Sequence, residues 1–150
     1  MKNVFNQEDV TSIIQRIEQL TPNTQPAWGK MSVEKMLAHC NVTYEMVYED
    51  KHPKPKGITK FILKLFVKKY VVGEKPFRRN EQTAPQFIIA DERKFEVEKK
   101  RLIDYINKTL ALGASAFEGK ESHSFGALSS AEWNVMFSKH LDHHLTQFGV

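Results

Sequence analysis

Apolar residues recur every three or four positions in four separate stretches of this chain, a spacing that places them on one face of a helix. The stretches cover about residues 7–20, 32–49, 91–112 and 130–148. No segment has the sustained alternation of a β-strand, so the pattern predicts an all-α fold built from four main helices. The first helix carries an apolar face made of Val10, Ile13, Ile14, Ile17 and Leu20.

Residues that flank these stretches are of the types that stabilise helix ends. Ser32 and Asp91 are predicted N-caps of the second and third helices, because their side chains can accept a hydrogen bond from a free backbone N–H group. Ser129 or Ser130 is predicted to cap the last helix, and Ser129 with Glu132 has the spacing of a capping box. These positions set where we expect the helices to begin.

A long connection, about residues 50–90, separates the second helix from the third. Residues 58–72 within it predict an extra amphipathic helix with a basic side. We favour packing of its apolar side on the other helices, and contact with an anionic membrane surface is the alternative. The apolar side consists of Ile58, Phe61, Ile62, Leu65 and Phe66, and the basic side of Lys60, Lys64 and Lys68. Residues 1–150 are then predicted to form a single domain, a four-helix bundle with one long inserted connection.

The charge balance and the cysteine content narrow the classes of protein to consider. With 22 basic and 18 acidic residues the net charge is +4, and no nucleic-acid-reading motif accompanies this small excess, so we expect no nucleic-acid partner. Cys40 is the only cysteine and cannot form an internal disulfide. The first residues lack the apolar segment of a signal peptide, and no apolar run approaches the roughly 18 residues of a membrane span. We therefore expect a cytoplasmic protein and disfavour a membrane partner, with the surface contact of residues 58–72 kept as the alternative.

Three of the six histidines lie close together in KHLDHHLTQFGV, residues 139–150. At about 100° of rotation per residue, His140 and His144 fall on the arc of the last helix that faces the other helices, and His143 falls on its flank. His39, in KMLAHC, lies at the edge of the buried face of the second helix. Two imidazoles one turn apart, with a third from another helix, predict a metal site that keeps a coordination position open for water or a substrate.

Structural explanations of the same histidines compete with the metal interpretation. Histidines near the C-terminus of a helix are favoured by the helix dipole, and a pair at positions i and i+4 is more often solvated than bound to metal. Adding His39 makes the two interpretations about equal, because three converging buried imidazoles need a shared partner. The chain has no H-E-x-x-H motif and Asp142 faces away from the pair, which argues against a metalloprotease.

Several motifs of the chain resemble those of a known superfamily. They are WGKMSVEKMLAHC, PFRRNEQTAP, HSFGALSSAEW and HLDHHLTQFG, all within residues 28–150, together with an HxxHHxxQ pattern that begins at His140. With the predicted helices, they are similar to the DinB/YfiT-like superfamily and, more closely, to an uncharacterised bacterial branch of it, a domain of unknown function. The resemblance implies a four-helix bundle with a divalent metal ion held by His39, His140 and His144, the same three residues that the helical faces select.

The resemblance also implies a class of reaction. Better-known relatives are metal-dependent enzymes that use a low-molecular-weight thiol as cofactor or co-substrate, such as S-transferases and maleylpyruvate isomerases, and many relatives are homodimers. We therefore expect a metal-dependent enzyme with a small-molecule substrate, with thiol transfer as the first hypothesis and hydrolysis by metal-activated water as another. A non-catalytic, stress-associated module that binds metal or ligand on the same fold is the alternative. Three imidazoles suit zinc or nickel first, and also iron.

Further residues are predicted to surround the metal. His143, Gln147 and Tyr44 are candidates to orient a ligand or a substrate. Trp28 and His123 lie in connectors that can wall the pocket. For His123 we favour a simpler role, that of a loop residue hydrogen-bonded to the backbone.

Overall fold

The computed structural model describes all 150 residues, and most of them lie in helices. In chain order the helices are α1 (Gln7–Glu18), α2 (Val33–Tyr48), α3 (Gly57–Ile62), α4 (Lys68–Val72), α5 (Phe95–Leu112) and α6 (Ser130–Gln147). A π-helical turn (Leu63–Val67) joins α3 to α4, and single 3-10 turns lie at Pro85–Phe87 and Ala114–Phe117. Two short strands, β1 (Lys120–Ser122) and β2 (Gly126–Leu128), form an antiparallel hairpin. None of the helices combines the length and the apolar character that a membrane crossing requires.

Helix α2 lies at the centre of the fold. Residues 36–45 within it are all buried, because both α5 and α6 pack against it, while α1 packs against α5. In the core between these helices, the ring of Tyr44 stacks between those of Tyr105 and Phe137, at centroid distances of 5.6 and 4.8 Å. The enclosed part of α2 includes His39, so the packing of the helices places this imidazole inside the protein.

The predicted N-caps of α2 and α6 are at the observed positions. Ser129 and Glu132 form the capping box, in which Ser129 Oγ accepts from the Glu132 N–H at 3.2 Å and the Glu132 carboxylate accepts from the Ser129 N–H at 2.9 Å. Ser32 precedes α2 as predicted, but its hydroxyl donates to the Glu34 carboxylate instead of accepting from the helix backbone. The start of α6 is therefore fixed by its own first turn.

Helix α5 begins at Phe95, so the prediction of an N-cap at Asp91 is wrong. The Asp91 carboxylate pairs with the Arg93 guanidinium at 3.0 Å, and Lys94, the residue before the helix, has an extended backbone. The Asp91 side chain, which was expected to cap the first turn of α5, is therefore paired with Arg93 instead. The helix ends at Leu112, before Gly113, as predicted.

The hairpin of β1 and β2 was not predicted, and it corrects the all-α expectation to a mostly helical fold with a small sheet. Ser122 Oγ closes the turn, because it accepts from the Phe125 N–H at 2.9 Å and donates to the Gly126 carbonyl oxygen at 2.8 Å. Gly126 has a φ of +78°, a conformation that few other residues adopt readily. Strands of three residues are too short to show a sequence alternation.

Residues 58–72 are helical as predicted, although they are divided into α3, the π-helical turn and α4. The expectation that their apolar side packs on the other helices is wrong. All five of its large side chains are exposed, from 45% for Ile62 to 76% for Ile58. A charged contact holds the opposite side, where Lys68 Nζ lies 2.9 Å from a Glu132 carboxylate oxygen of α6. Of the basic side only Lys68 is attached to α6, whereas Lys60 and Lys64 are exposed, and the apolar side faces solvent.

Candidate metal centre

Three imidazoles meet between α2 and α6. His39 comes from the buried centre of α2, and His140 and His144 lie one turn apart on α6. One nitrogen atom of each ring can be chosen so that the three lie within 4.8 Å of one another, and His39 Nε2 and His140 Nε2 are 3.0 Å apart. His39 and His144 are buried and His140 is half-buried. The structure thus brings together the three residues that the helical faces select.

The second nitrogen of each ring has an oxygen atom of the protein beside it. His39 Nδ1 donates to the Phe87 carbonyl oxygen at 2.9 Å, and His144 Nδ1 donates to Gln147 Oε1 at 2.8 Å. Both oxygens can only accept, so these two rings carry their proton on Nδ1 and leave a lone pair on Nε2. His140 Nδ1 lies 3.0 Å from Thr43 Oγ1, a hydroxyl that can donate or accept. His39 and His144 therefore each offer an Nε2 lone pair, and His140 offers one when its Nδ1–H donates to Thr43.

Burial keeps these imidazoles uncharged. It lowers the pKa of His39 below its usual value, and it lowers that of His144 to about 3. Burial also lowers the pKa of His140 well below its usual range, and the neighbouring histidines lower it further. A neutral imidazole is the form that binds a metal ion, so the site is in its ligating state at neutral pH.

The donor set fits a divalent transition metal. Zinc–nitrogen bonds of about 2.0–2.1 Å in a tetrahedral site put ligand nitrogens roughly 3.3 Å apart. The observed separation of 3.0 Å for one nitrogen pair, with the set within 4.8 Å, is close enough that small side-chain rotations produce that geometry. Three protein ligands leave the fourth tetrahedral position open, as in catalytic sites.

Aromatic side chains from the long connection enclose the site. The Phe87 ring lies 5.2 Å from that of His39 and 5.8 Å from that of His140, between centroids. The Phe77 ring lies 6.4 Å from that of His140 and 5.8 Å from that of His143. These rings limit the access of water, which strengthens electrostatic interactions around the imidazoles.

Gln147 joins the site to the loop before α2. Its Oε1 accepts from His144, and its Nε2 donates to the Trp28 carbonyl oxygen at 2.8 Å. Gly29 follows in this loop with a φ of +82°, and a Cβ atom there would lie 2.8 Å from Gln147 Nε2. The loop therefore needs a glycine at this position for the backbone to reach the amide that orients His144.

The other predicted site residues divide into two groups. His143 and Trp28 lie at the edge of the site: their rings are 6.0 Å apart, and that of His143 is 4.9 Å from that of His144. Tyr44 stacks in the core, and its hydroxyl has no hydrogen-bond partner, so it is not bonded to any of the three imidazoles. His123 Nε2 donates to the His52 carbonyl oxygen at 3.2 Å, the loop role that we favoured.

Four residues around the site were not assigned a role from the sequence: Thr43, Phe77, Arg79 and Phe87. Thr43 falls on the inward arc of α2, so its position could be predicted, but its bond to His140 could not. Phe87 contributes a backbone oxygen, which no side-chain pattern marks. The Arg79 guanidinium lies 4.2 Å above the Trp28 ring. The sequence signal that could have identified Arg79 is the positive charge that it adds to the motif PFRRNEQ.

Comparisons with known proteins identify the family of the chain. A search of curated proteins and a search of solved structures each return no match. One family model matches residues 2–149, and its description is a protein of unknown function, DUF1569. The match spans all six helices, the hairpin and the three imidazoles. The chain therefore belongs to the DUF1569 family.

Proposed function

We propose that this chain is a metal-dependent enzyme in which His39, His140 and His144 hold one divalent metal ion. The observation that carries the proposal is the oxygen atom beside each Nδ1, which allows all three rings to offer Nε2 to one ion, together with the close approach of the three imidazoles. Ligating histidines in metalloproteins commonly have their second nitrogen fixed by such a partner. Zinc and nickel are the first candidates and iron is another, since all three accept imidazole ligands.

The proposal includes a DinB/YfiT-like four-helix bundle. In its support, α1, α2, α5 and α6 are the long helices, α2 packs against both α5 and α6, and the long connection lies between α2 and α5. The three imidazoles come from the second and last of these helices, as in that superfamily. A single domain, a cytoplasmic location and a homodimer remain predictions.

The proposed reaction is transfer of a low-molecular-weight thiol to an electrophilic small molecule: the S–H bond is broken, a bond forms between the sulfur and the electrophilic carbon, and the leaving group departs with the electron pair of its own bond to that carbon. A bound divalent ion supplies the positive charge that favours a thiolate over a thiol. Cys40 is buried, and burial raises the pKa of its thiol, so the reacting sulfur belongs to a separate molecule. Burial lowers the pKa of His143, so this imidazole is neutral and is placed beside His144 to accept the proton that the thiol loses.

The residues at the edge of the site favour a substrate with an anionic group. Arg79 stacks on Trp28, and the side chain of Trp28 in turn contacts that of His143. No carboxylate forms an ion pair with Arg79, whereas Arg16 pairs with one carboxylate and Arg93 and Arg101 with two each. An arginine held by stacking with its donors free is suited to a carboxylate or phosphate.

Metal analysis of protein purified without a histidine tag tests the site. We expect bound zinc or nickel in the wild type, and we expect His39→Ala and His140→Ala to lower zinc affinity by more than about 100-fold. Gln147→Leu removes only the partner of His144, so its loss should be about 10–100-fold. His52→Gln is the matched control, because His52 bonds to Glu45 outside the site. Unchanged metal content in both alanine variants would refute the metal site.

An activity measurement on the same purified protein distinguishes an enzyme from a non-catalytic binding module. Thiol consumption is measured with glutathione or cysteine and a panel of electrophiles, with the metal-loaded wild type and the His143→Gln variant. We expect consumption that requires metal and falls in the variant. Tight metal binding without consumption of either thiol would favour the non-catalytic alternative.

A further inference from the structure

The five apolar side chains of residues 58–66 form an exposed stripe. Their positions follow one another alternately by three residues and by one, which is the spacing of a single helical face. Phe66 and Ile58 are 70% and 76% exposed, and Phe61 is 63% exposed. A continuous stripe of this kind is unusual on a protein that acts alone in water, where exposed apolar residues are scattered singly. The members of this apolar stripe are Ile58, Phe61, Ile62, Leu65 and Phe66.

Contacts on the opposite side fix the stripe in its outward orientation. Lys68 pairs with Glu132, and the Lys139 Nζ of α6 donates to the carbonyl oxygens of Tyr70 and Lys75 at 2.6 and 3.2 Å. Lys139 is itself buried, so these bonds are shielded from water. The segment is thus attached to α6 by its inner side, and the stripe does not turn inward without breaking a buried lysine contact.

The charge around the stripe is of one sign. Residues 51–73 contain seven lysines and no aspartate or glutamate. Six of these lysines are exposed, and Lys51 among them pairs with Glu45 and Glu49. The other five lie on the helical segment or on the loop that leads into it: Lys54, Lys56, Lys60, Lys64 and Lys69. A helix with phenylalanine and leucine on one face and lysines along its edges is the type that lies in the headgroup region of an anionic bilayer.

We propose that residues 57–69 dock on an anionic lipid membrane surface, with Phe61, Leu65 and Phe66 inserted among the headgroups and the lysines on the lipid phosphates or carboxylates. Charge complementarity selects this occupant. In a symmetric pair of chains, the lysines of one copy would face the same lysines of the other, which opposes association. The histidine site lies elsewhere on α2 and α6, so this inference does not depend on the proposed function.

Vesicle sedimentation tests the proposal with the full chain. The probes are phosphatidylcholine vesicles with and without phosphatidylserine. We expect the wild type to sediment with the phosphatidylserine vesicles only, and less so in about 1 M salt, where the screening length is about 3 Å. The double variant Phe61→Ser, Phe66→Ser should lose about tenfold or more in binding, because two buried aromatic contacts are removed.

Two controls keep the outcome interpretable. Val97→Ser replaces an apolar residue of α5 that is 50% exposed, and it should bind as the wild type does. Both Phe61 and Phe66 are exposed, so their replacement should leave the helical circular dichroism and the melting temperature unchanged.

Four results would overturn the proposal. One is no sedimentation with phosphatidylserine vesicles, and another is an equal loss of binding in Val97→Ser. The third is a wild-type dimer that the double variant converts to a monomer without any vesicle binding, which would assign the stripe to a second copy of the chain. Binding to polyglutamate but not to vesicles would likewise overturn it in favour of an acidic protein.

Discussion

The hydroxyl of Tyr44 is buried among aromatic rings and has no hydrogen-bond partner. Burial raises the pKa of this phenol well above its usual value, so the group stays neutral. A buried hydroxyl without a partner loses its hydrogen bonds to water on folding and gains nothing in return. Its ring contributes to the core, while its oxygen opposes folding.

We therefore expect Tyr44→Phe to raise the free energy of unfolding by about 1 kcal/mol. The ring and its stacking remain, and only the unpaired oxygen is lost. Urea unfolding measures the change, and zinc binding to the same variant should be unaltered. A fall in stability, or a loss of zinc affinity, would mean that the hydroxyl has a partner and would restore Tyr44 to the site.

His140 differs from the other two imidazoles in the partner of its Nδ1 atom. The carbonyl of Phe87 and the amide oxygen of Gln147 fix the proton of His39 and His144, but the Thr43 hydroxyl accepts either arrangement. Without a cation, a proton on His140 Nε2 makes the 3.0 Å contact with His39 Nε2 a hydrogen bond. To bind a cation through Nε2, His140 would carry its proton on Nδ1, with Thr43 Oγ1 as the acceptor. The site thus has a favourable protonation pattern in both states.

Helices α2 and α5 are joined by a charged cluster centred on Arg101. One guanidinium nitrogen lies 2.8 Å from a Glu98 carboxylate oxygen, and the other bonds to Glu45. Asn41 of α2 adds a hydrogen bond to Glu98 at 2.8 Å. Both carboxylates are buried, so each depends on its partners for the solvation that water would provide.

We expect Arg101→Met to lower the free energy of unfolding by about 3 kcal/mol, near the lower end of the range for a broken buried ion pair. The lower end applies because Arg93 and His52 still contact the two carboxylates. Lys100→Met on the same helix is the control: its ion pair with Asp104 is exposed, and its loss should cost less than about 1 kcal/mol. Urea unfolding compares the two. Equal effects would show that the cluster contributes no more than a surface pair.

Periodicity predicted the helices well where their ends depend on nearby residues. Helix α6 begins where Ser129 and Glu132 place it, because the capping box lies within the first turn. Helix α5 begins four residues later than expected, because Asp91 is bound by Arg93. The pattern of residues 58–66 defines two faces but does not say which one points inward. That choice depends on Glu132, which is distant in sequence.

The histidine site was predictable to a similar extent. Helical faces select His39, His140 and His144, because burial follows the period of each helix. The pairing of His140 with Thr43 and of His39 with the Phe87 carbonyl depends on how two helices and the long connection meet. No single segment contains that information. The same reasoning explains Tyr44, whose inward position was read from the sequence as a contact with the site and is a contact with the core.

Four separate parts of the fold come together at the three imidazoles. Helix α2, helix α6, the 3-10 turn at Phe87 and the loop at Trp28 each contribute a group to the site or to its hydrogen bonds. These elements enclose the rings, and the enclosure is the physical cause of their low pKa values. The stability of the metal-free protein is therefore linked to pH through the same burial.

We expect the metal-free protein to lose stability as the pH falls below about 6.5, the usual histidine value. The unfolded chain takes up protons there, whereas folded His144 does not until its pKa of about 3, so the unfolded state gains protons first. Once the unfolded histidine is fully protonated, each such residue lowers the free energy of unfolding by about 1.4 kcal/mol per pH unit. Urea unfolding between about pH 7 and pH 5, above the range of ordinary carboxyl groups, measures this slope.

His144→Gln should reduce the slope by about one histidine's share. A wild-type stability that stays constant or rises over this interval would show that the imidazoles are protonated in the folded protein, a state in which they bind no metal.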